Sequence, residues 1–185
     1  MHAVILSFFV ILASEMGDKT QLVALCLAAR FQRPMPVTLG ILAATLASNF
    51  IAASVGQSMS MLLHGWVLHG LLGISFLAAA AWALIPDEVE SCPTVPNHGI
   101  FVATFISFFF AEIGDKTQLA TAALAAQLGD FFAVVMGTTL GMMAANIPAV
   151  LMGHKMLEKV LLPTIRATSG AVFAVLGTYE LSRVF

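Results

Sequence analysis

The sequence predicts an all-α membrane protein with six transmembrane helices, arranged as two inverted-topology three-helix repeats. Three observations support this fold class: the composition, long uncharged runs and an internal repeat. Of the 185 residues, 59% are hydrophobic and 10% are charged, whereas a soluble domain carries about 25% charged residues. A soluble chain of this length could not bury so much apolar surface. The apolar runs are continuous, which indicates helices, because barrel strands alternate apolar and polar residues.

The uncharged runs place the individual spans, because a helix needs about 20 mainly apolar residues to cross the hydrocarbon core. No Asp, Glu, Lys or Arg occurs between Arg33 and Asp87, which leaves room for two helices. Turn residues expected between them are Gln57, Ser58, Ser60, His64 and Gly65. Predicted uncharged spans are helix 2 near Pro36–Gly56, helix 3 near Trp66–Ile85 and helix 5 at Phe131–Gly153. Helix 6 is expected at Pro163–Val184. Helices 1 and 4, expected at Ala3–Ala29 and Gly99–Ala126, carry charges in their middle.

An internal repeat becomes visible when the sequence is shifted by 97 positions. Residues 15–22, EMGDKTQL, then align with residues 112–119, EIGDKTQL, with a single difference; we name these segments motif 1 and motif 2. The same offset aligns Gly40 with Gly137 and Asn49 with Asn146. We therefore divide the chain into repeat 1 (1–86), an acidic cytoplasmic linker (87–97) and repeat 2 (98–185). Because each repeat has three spans, repeat 2 enters the membrane from the opposite side, as in many secondary transporters.

The basic residues near the span ends predict the orientation of the chain. Arg30 and Arg33 lie in the connection between helices 1 and 2, and further basic residues lie between helices 5 and 6. The basic side should be cytoplasmic, so we expect a multi-pass protein of the bacterial inner membrane with both termini outside. Cys26 and Cys92 fall toward the cytoplasmic side, where thiols stay reduced, so we expect no disulfide between them.

Each motif places charged residues near the middle of a predicted span. Glu15 and Glu112 are each followed by Asp at i+3 and Lys at i+4. An ionised side chain at the bilayer centre costs about 2.5–3.5 kcal/mol on insertion scales, so these groups should face the protein interior and pair with one another or with a ligand. Gly17 and Gly114 weaken the helix at this depth. A helix break there would free backbone carbonyls and turn the motif threonines toward the site.

The two motifs together predict one oxygen-rich site for a hard divalent cation such as Ca²⁺, Mg²⁺ or Mn²⁺. Four carboxylates and two lysines sum to −2 (−4 + 2), which one divalent cation neutralises. The predicted ligands are Glu15, Asp18, Gln21, Glu112, Asp115 and Gln118. Possible supporting residues are Ser14, Lys19, Thr20, Asn49, Lys116, Thr117 and Asn146.

Several roles stay open at this point. A single Glu–Lys pair in a membrane helix is often a structural clamp, but two copies favour a functional site. The lysines fit three roles: charge compensators, proton-coupling groups or structural partners. Asn49 and Asn146 fit interhelical hydrogen bonding as well as cation binding. When the cation leaves, the close like charges should favour uptake of protons, which is the chemistry of a cation/proton exchanger. With a net charge of −2 we expect no nucleic-acid partner.

Two E-x-G-D-K-T motifs in a duplicated six-helix chain resemble the Gdt-type cation transporter family, and the short chain is most similar to its bacterial manganese-exporting members. The resemblance covers the whole chain, and neither motif departs from the family pattern. It implies transport of Mn²⁺, or of Ca²⁺ in some members, with proton exchange as the coupling. We therefore expect a secondary transporter that exports Mn²⁺ in exchange for H⁺ by alternating access.

The alternatives are a divalent-cation channel, a Ca²⁺/H⁺ antiporter and an amino-acid exporter. An enzyme is not expected, because the sequence has no G-x-S-x-G or H-E-x-x-H motif. The expected partners are the lipid bilayer, the divalent cation and protons, with a homodimer as a further option. We expect no tightly bound cofactor.

Overall fold

The computed structural model describes residues 1–63, 65–85, 99–152 and 162–184, and within these ranges it is helical and contains no strand. The predicted linker 87–97 lies outside the described residues, as do Lys155 and Lys159. The described part has eight helices: α1 (His2–Glu15), α2 (Lys19–Phe31), α3 (Pro34–Leu62), α4 (Trp66–Ala83), α5 (Ile100–Glu112), α6 (Lys116–Leu128), α7 (Phe131–Met152) and α8 (Leu162–Ser182).

The two predicted spans that carry the motifs are each broken into two helices. The first break separates α1 from α2, and the second separates α5 from α6. At both breaks the motif glycine has a positive φ, +77° at Gly17 and +76° at Gly114, which residues with a side chain rarely adopt. The residue before each glycine, Met16 or Ile113, is extended. The hypothesis of a break inside each motif is therefore confirmed, and its backbone geometry is the same in both repeats.

Helix α3 extends further toward its C-terminus than the sequence suggests. Gln57, Ser58 and Ser60, predicted in the turn, lie inside α3, so this part of the prediction is wrong. Ser58 Oγ donates to the carbonyl of Ser54 at 2.8 Å, and Ser60 Oγ donates to the carbonyl of Gln57 at 2.8 Å. A serine that bonds back to its own helix can stay in that helix without water, so these residues are compatible with continued helix.

The other uncharged spans begin and end within two residues of the prediction. By length and composition, three helical segments could cross a membrane: Pro34–Leu62, Trp66–Ala83 and Phe131–Leu151. The apolar helices α1 and α5 have 14 and 13 residues, so each is about 20 Å long. That is shorter than the hydrocarbon core of about 30 Å, and either helix needs its partner after the break to complete a crossing.

Helices of one repeat pack mainly on helices of the other. α1 packs on α7, and α5 packs on α3; the offset of 97 converts one pair into the other. Individual contacts are related by the same offset: Gly40 lies against Thr104, and the equivalent Gly137 lies against Ser7. The two repeats are therefore interlocked, and these two glycines make equivalent contacts.

Helix α4 packs on its own repeat mate, α8. Gly73 near the start of α4 lies against Leu181 near the end of α8, and Leu84 just after α4 lies against Gly170 in the first half of α8. The order of contacts along one helix is reversed along the other, so α4 and α8 run antiparallel.

The surface is apolar and the interior holds ionisable groups. Phe50, Ile74 and Met136 are more than half exposed, whereas Glu15 and Glu112 are buried. Soluble proteins rarely bury an acid fully, and they seldom expose large apolar areas. The distribution fits a helix bundle whose outer face contacts lipid.

A third buried acid, Glu180, ties together the ends of three helices. Its Oε2 lies 2.7 Å from His69 Nδ1 on α4, and its Oε1 accepts a hydrogen bond from Gln127 Nε2 on α6 at 2.6 Å. Arg183, one turn further along the chain, lies 3.9 Å from Oε1. Both oxygens of Glu180 are thus engaged, as expected of a structural clamp.

Cys26, near the end of α2, is disulfide-bonded in the structure. The expectation of a reduced thiol at this position is therefore wrong. That expectation came from the predicted compartment, because the redox state of a compartment determines whether a disulfide persists. The compartment does not indicate where the cysteines lie in the folded chain. Cys92 lies outside the described residues.

Candidate cation site

The two breaks bring acids of both repeats together in the interior. Glu15, Glu112 and Asp115 each place one carboxylate oxygen in a group whose members all lie within 4.8 Å of one another. All three side chains are buried. Glu15 ends α1, Glu112 ends α5 and Asp115 immediately precedes α6, so three helix ends converge at this point. We call these three residues the carboxylate cluster.

Each glutamate of the cluster has one oxygen near the hydroxyl of a threonine of its own motif. Thr20 Oγ1 donates to Glu15 Oε2 at 2.7 Å, and Thr117 Oγ1 lies 3.4 Å from Glu112 Oε2. The other oxygens, Glu15 Oε1 and Glu112 Oε1, are buried and accept no hydrogen bond within the described structure. A buried carboxylate oxygen without a partner is costly. These two oxygens are therefore suited to take a cation or a proton.

The motif glutamines brace the breaks. Gln21 Oε1 accepts a hydrogen bond from the backbone N–H of Gly17 at 2.8 Å, and its Nε2 donates to the carbonyl of Ala145 on α7 at 2.8 Å. Gln118 makes the equivalent bonds, to the N–H of the second motif glycine at 3.1 Å and to Ser48 Oγ on α3 at 2.8 Å. The glutamine oxygens predicted as cation ligands thus hold backbone donors in this arrangement.

Replacing Gln21 with leucine tests the bracing role. The change leaves the Gly17 N–H and the Ala145 carbonyl without their partner, so we expect a loss of about 1–3 kcal/mol of stability. The measurement is thermal unfolding of the detergent-solubilised protein with and without Mn²⁺. A brace predicts a lower Tm that Mn²⁺ still raises by the wild-type increment. Loss of the Mn²⁺-dependent increment alone would instead identify Gln21 as a direct ligand.

Two ion pairs link the repeats beside the cluster. Lys116 Nζ donates to Asp18 Oδ1 at 2.7 Å, and Lys19 Nζ lies 3.5 Å from Asp115 Oδ1. Each lysine thus reaches the aspartate of the other repeat, and the offset of 97 relates the two pairs. Asp18 also accepts a hydrogen bond from the backbone N–H of Lys19 at 2.8 Å and so caps α2. Of the four predicted carboxylates, Asp18 lies outside the cluster, whereas Asp115 belongs both to the cluster and to an ion pair.

The two asparagines differ in their partners. Asn49 Nδ2 lies 3.3 Å from Thr139 Oγ1 on α7, and Asn49 Oδ1 accepts from Thr121 Oγ1 on α6 at 3.3 Å, so this residue joins three helices. Asn146 Nδ2 donates within α7, to the carbonyl of Met142 at 2.9 Å, and its buried Oδ1 has no hydrogen-bond partner among the described residues.

A small pocket adjoins the Asp18–Lys116 pair. Ser14 and Ser169 contribute to its wall; Ser14 Oγ itself donates to the carbonyl of Ile11 at 2.9 Å. Neither Ser169 nor the brace partner Ser48 was predicted from the sequence. Ser48 aligns with Ala145 at the offset of 97, and because Ala145 contributes only its backbone carbonyl, no shared side chain could indicate the position.

Comparisons with known proteins identify the family to which the chain is similar. The chain matches the family described as "Divalent cation/proton antiporter GDT1" over residues 3–91 and 100–183. A Vibrio cholerae protein described as "Putative manganese exporter" is 42% identical over 177 residues, which cover 95% of this chain and 88% of that protein. A GDT1-like protein of Synechocystis is 28% identical over 184 residues, 88% of either chain.

A plant relative extends the range of the similarity. GDT1-like protein 4 of Oryza sativa subsp. indica is 27% identical over 195 residues, which cover 90% of this chain and 68% of that protein. No solved structure matches the chain. The family consists of membrane transporters and not of enzymes. The family match spans nearly the whole sequence, including both motifs, and the chain therefore belongs to the GDT1 family of divalent cation/proton antiporters.

Proposed function

We propose that this protein is a secondary transporter that exports Mn²⁺ across the bacterial inner membrane in exchange for H⁺. The observation that carries the proposal is the buried cluster of Glu15, Glu112 and Asp115, with a free oxygen on each glutamate. An all-oxygen donor set suits hard divalent cations. The description of the Vibrio cholerae relative favours Mn²⁺ among them. Ca²⁺ has the same ligand preference and is the second candidate substrate.

The proposed architecture has six spans in two inverted repeats, 1–86 and 98–185. In this arrangement α1 with α2 and α5 with α6 each form one broken span, and α3, α4, α7 and α8 form the others. Helices α4 and α8 are equivalent under the repeat offset of 97. Their antiparallel packing supports a twofold axis in the membrane plane. Broken helices that meet between inverted repeats mark the substrate site in other secondary transporters.

The charges near the cluster fit one divalent cation. Three carboxylates contribute −3 and Lys19 contributes +1, while Asp18 and Lys116 neutralise each other; the sum, −3 + 1, is −2. One bound Mn²⁺ makes the centre neutral, and so do two protons on the carboxylates. The same site can therefore hold either substrate but not both.

Coupling is required by the direction of transport. The membrane potential opposes exit of a cation by about 2.3 kcal/mol per charge per 100 mV. Two protons that enter as one Mn²⁺ leaves would make the exchange electroneutral. Rocking of one repeat against the other would then expose the site to each side in turn.

Proteoliposomes with a controlled pH on each side test this function. We expect an imposed proton gradient to drive Mn²⁺ uphill, and we expect nigericin to stop the movement by collapsing that gradient. Protein carrying Asp130→Asn, which changes an exposed acid at the start of α7, is the control and should transport like wild type. Movement of Mn²⁺ only down its own gradient would identify a channel. Transport driven by an imposed Na⁺ gradient would identify Na⁺ as the coupling ion in place of H⁺. Inhibition of Mn²⁺ transport by Ca²⁺ would indicate that Ca²⁺ is also a substrate. Inhibition by lysine would indicate an amino-acid exporter.

A further inference from the structure

We propose that Asp18 and Asp115 alternate as the third carboxylate of the cation site, and that Lys116 and Lys19 hold whichever aspartate is not in use. The glutamates Glu15 and Glu112 would then bind the cation on both faces of the membrane. This inference rests on the proposed function, because it concerns how the same site changes between its two orientations.

The starting observation is a difference between two ion pairs of identical composition. Lys116 Nζ lies 2.7 Å from Asp18 Oδ1, and the Lys116 side chain is 4% exposed. Lys19 Nζ lies 3.5 Å from Asp115 Oδ1, and the Lys19 side chain is 35% exposed. The two motifs differ only at Met16 and Ile113, so the difference between the pairs lies in the conformation and not in the residues that form them.

The aspartates themselves are used differently. Asp18 caps α2 by accepting from the N–H of Lys19 at 2.8 Å. Asp115 occupies the same position before α6 but makes no side-chain cap bond. Its carboxylate instead joins the cluster, and its Oδ2 accepts from Thr117 Oγ1 at 3.2 Å. Motif 1 is therefore in a capped arrangement, and motif 2 is in a cation-binding arrangement.

The charged and polar residues of the two motifs are the same. An arrangement in which the two motifs exchange their roles, which we call the mirror arrangement, therefore offers the same local interactions. In it, Asp115 would cap α6 and pair closely with Lys19, while Asp18 would join Glu15 and Glu112. Inverted repeats place these two arrangements toward opposite sides of the membrane. The site keeps three carboxylates and one nearby lysine in both, so its charge of −2 is unchanged. The motif lysines would then be positioning residues that release one aspartate at a time.

The test removes one aspartate–lysine pair at a time. The variants Asp18→Asn/Lys116→Met and Asp115→Asn/Lys19→Met each lose one negative and one positive charge, so the net charge is conserved. The measurement is the KM for Mn²⁺ from each face, in right-side-out and inside-out vesicles. Each variant should raise the KM by about tenfold on one face, the effect of losing one charged ligand, and the affected face should be opposite in the two variants. On its other face the KM should stay within about twofold of wild type.

A structural defect would not produce this pattern, because a misfolded protein loses activity from both faces alike. The control variant Asp130→Asn changes an exposed acid outside the carboxylate cluster and should keep wild-type KM values on both faces. Equal changes on both faces, or none, would overturn the alternation. If the double variants fail to insert, the wild-type protein provides a second test through labelling with a membrane-impermeant amine reagent. Reversing the imposed pH gradient should exchange which motif lysine reacts; an unchanged pattern would contradict the proposal.

Failure of the proposed function looks different. Wild-type protein that moves no Mn²⁺ under a proton gradient would refute the transporter itself. Proton-driven transport by wild type, combined with identical sidedness in both double variants, would refute only the alternation.

Discussion

Replacing Glu112 with glutamine should abolish Mn²⁺ transport while the protein still inserts into the membrane. The amide has nearly the shape of the carboxylate and can keep the contact of Oε2 with Thr117, so the fold should persist. The change removes the charge and the free oxygen at Oε1. We expect transport to fall by about 100-fold or more, which corresponds to about 2.7 kcal/mol. Glu15→Gln should have the same effect, because the offset of 97 gives it the equivalent position.

Manganese efflux and manganese tolerance of cells that express each variant measure this effect. The amount of protein in the membrane fraction must match wild type for the comparison to hold. Asp130→Asn is again the control, because it removes an acid from the surface and leaves the cluster intact. Normal manganese tolerance in cells with either glutamate variant would contradict the assignment of the cluster as the cation site.

Replacing Gly56 with alanine should disrupt the packing of α3 on α6. A Cβ at this position would lie 1.9 Å from the carbonyl oxygen of Ala122 and 2.7 Å from its carbon. Both atoms belong to the backbone, so the clash can be relieved only by separating the two helices. Alanine normally favours a helix over glycine by about 1 kcal/mol, yet overpacking of this kind costs about 3 kcal/mol. We therefore expect a net loss of stability despite the better helix former.

Gly70→Ala provides the matched control within the same bundle. Its Cβ would come no closer than 3.9 Å to a neighbouring atom, the Cγ2 of Val184. Thermal unfolding of the solubilised proteins, followed by tryptophan fluorescence, should show a lower Tm for Gly56→Ala and an unchanged or higher Tm for Gly70→Ala. An unchanged Tm for Gly56→Ala would show that α3 and α6 do not approach as closely as described.

The repeat offset explains why much of this site was predictable. The shared offset identified the glutamates and aspartates that are equivalent in the two motifs. Gly17 and Gly114 indicated where the helices break, because glycine readily adopts positive φ. The extent of α3 was not predictable in the same way, since Ser58 and Ser60 favour turns but can also bond to their own helix. The asymmetry between the Asp18 and Asp115 pairs was beyond prediction, because motifs with the same charged residues cannot indicate which of two mirror arrangements is present.

The number of Mn²⁺ ions that one chain binds tests most directly whether the acids of both repeats share a single cation. Isothermal titration of the purified protein should give one Mn²⁺ per chain for wild type. Glu15→Gln and Glu112→Gln should each lose that ion, since both glutamates contribute to one site. Two ions per chain in wild type, or one ion retained in each variant, would show that each motif binds its own cation and would contradict the shared site.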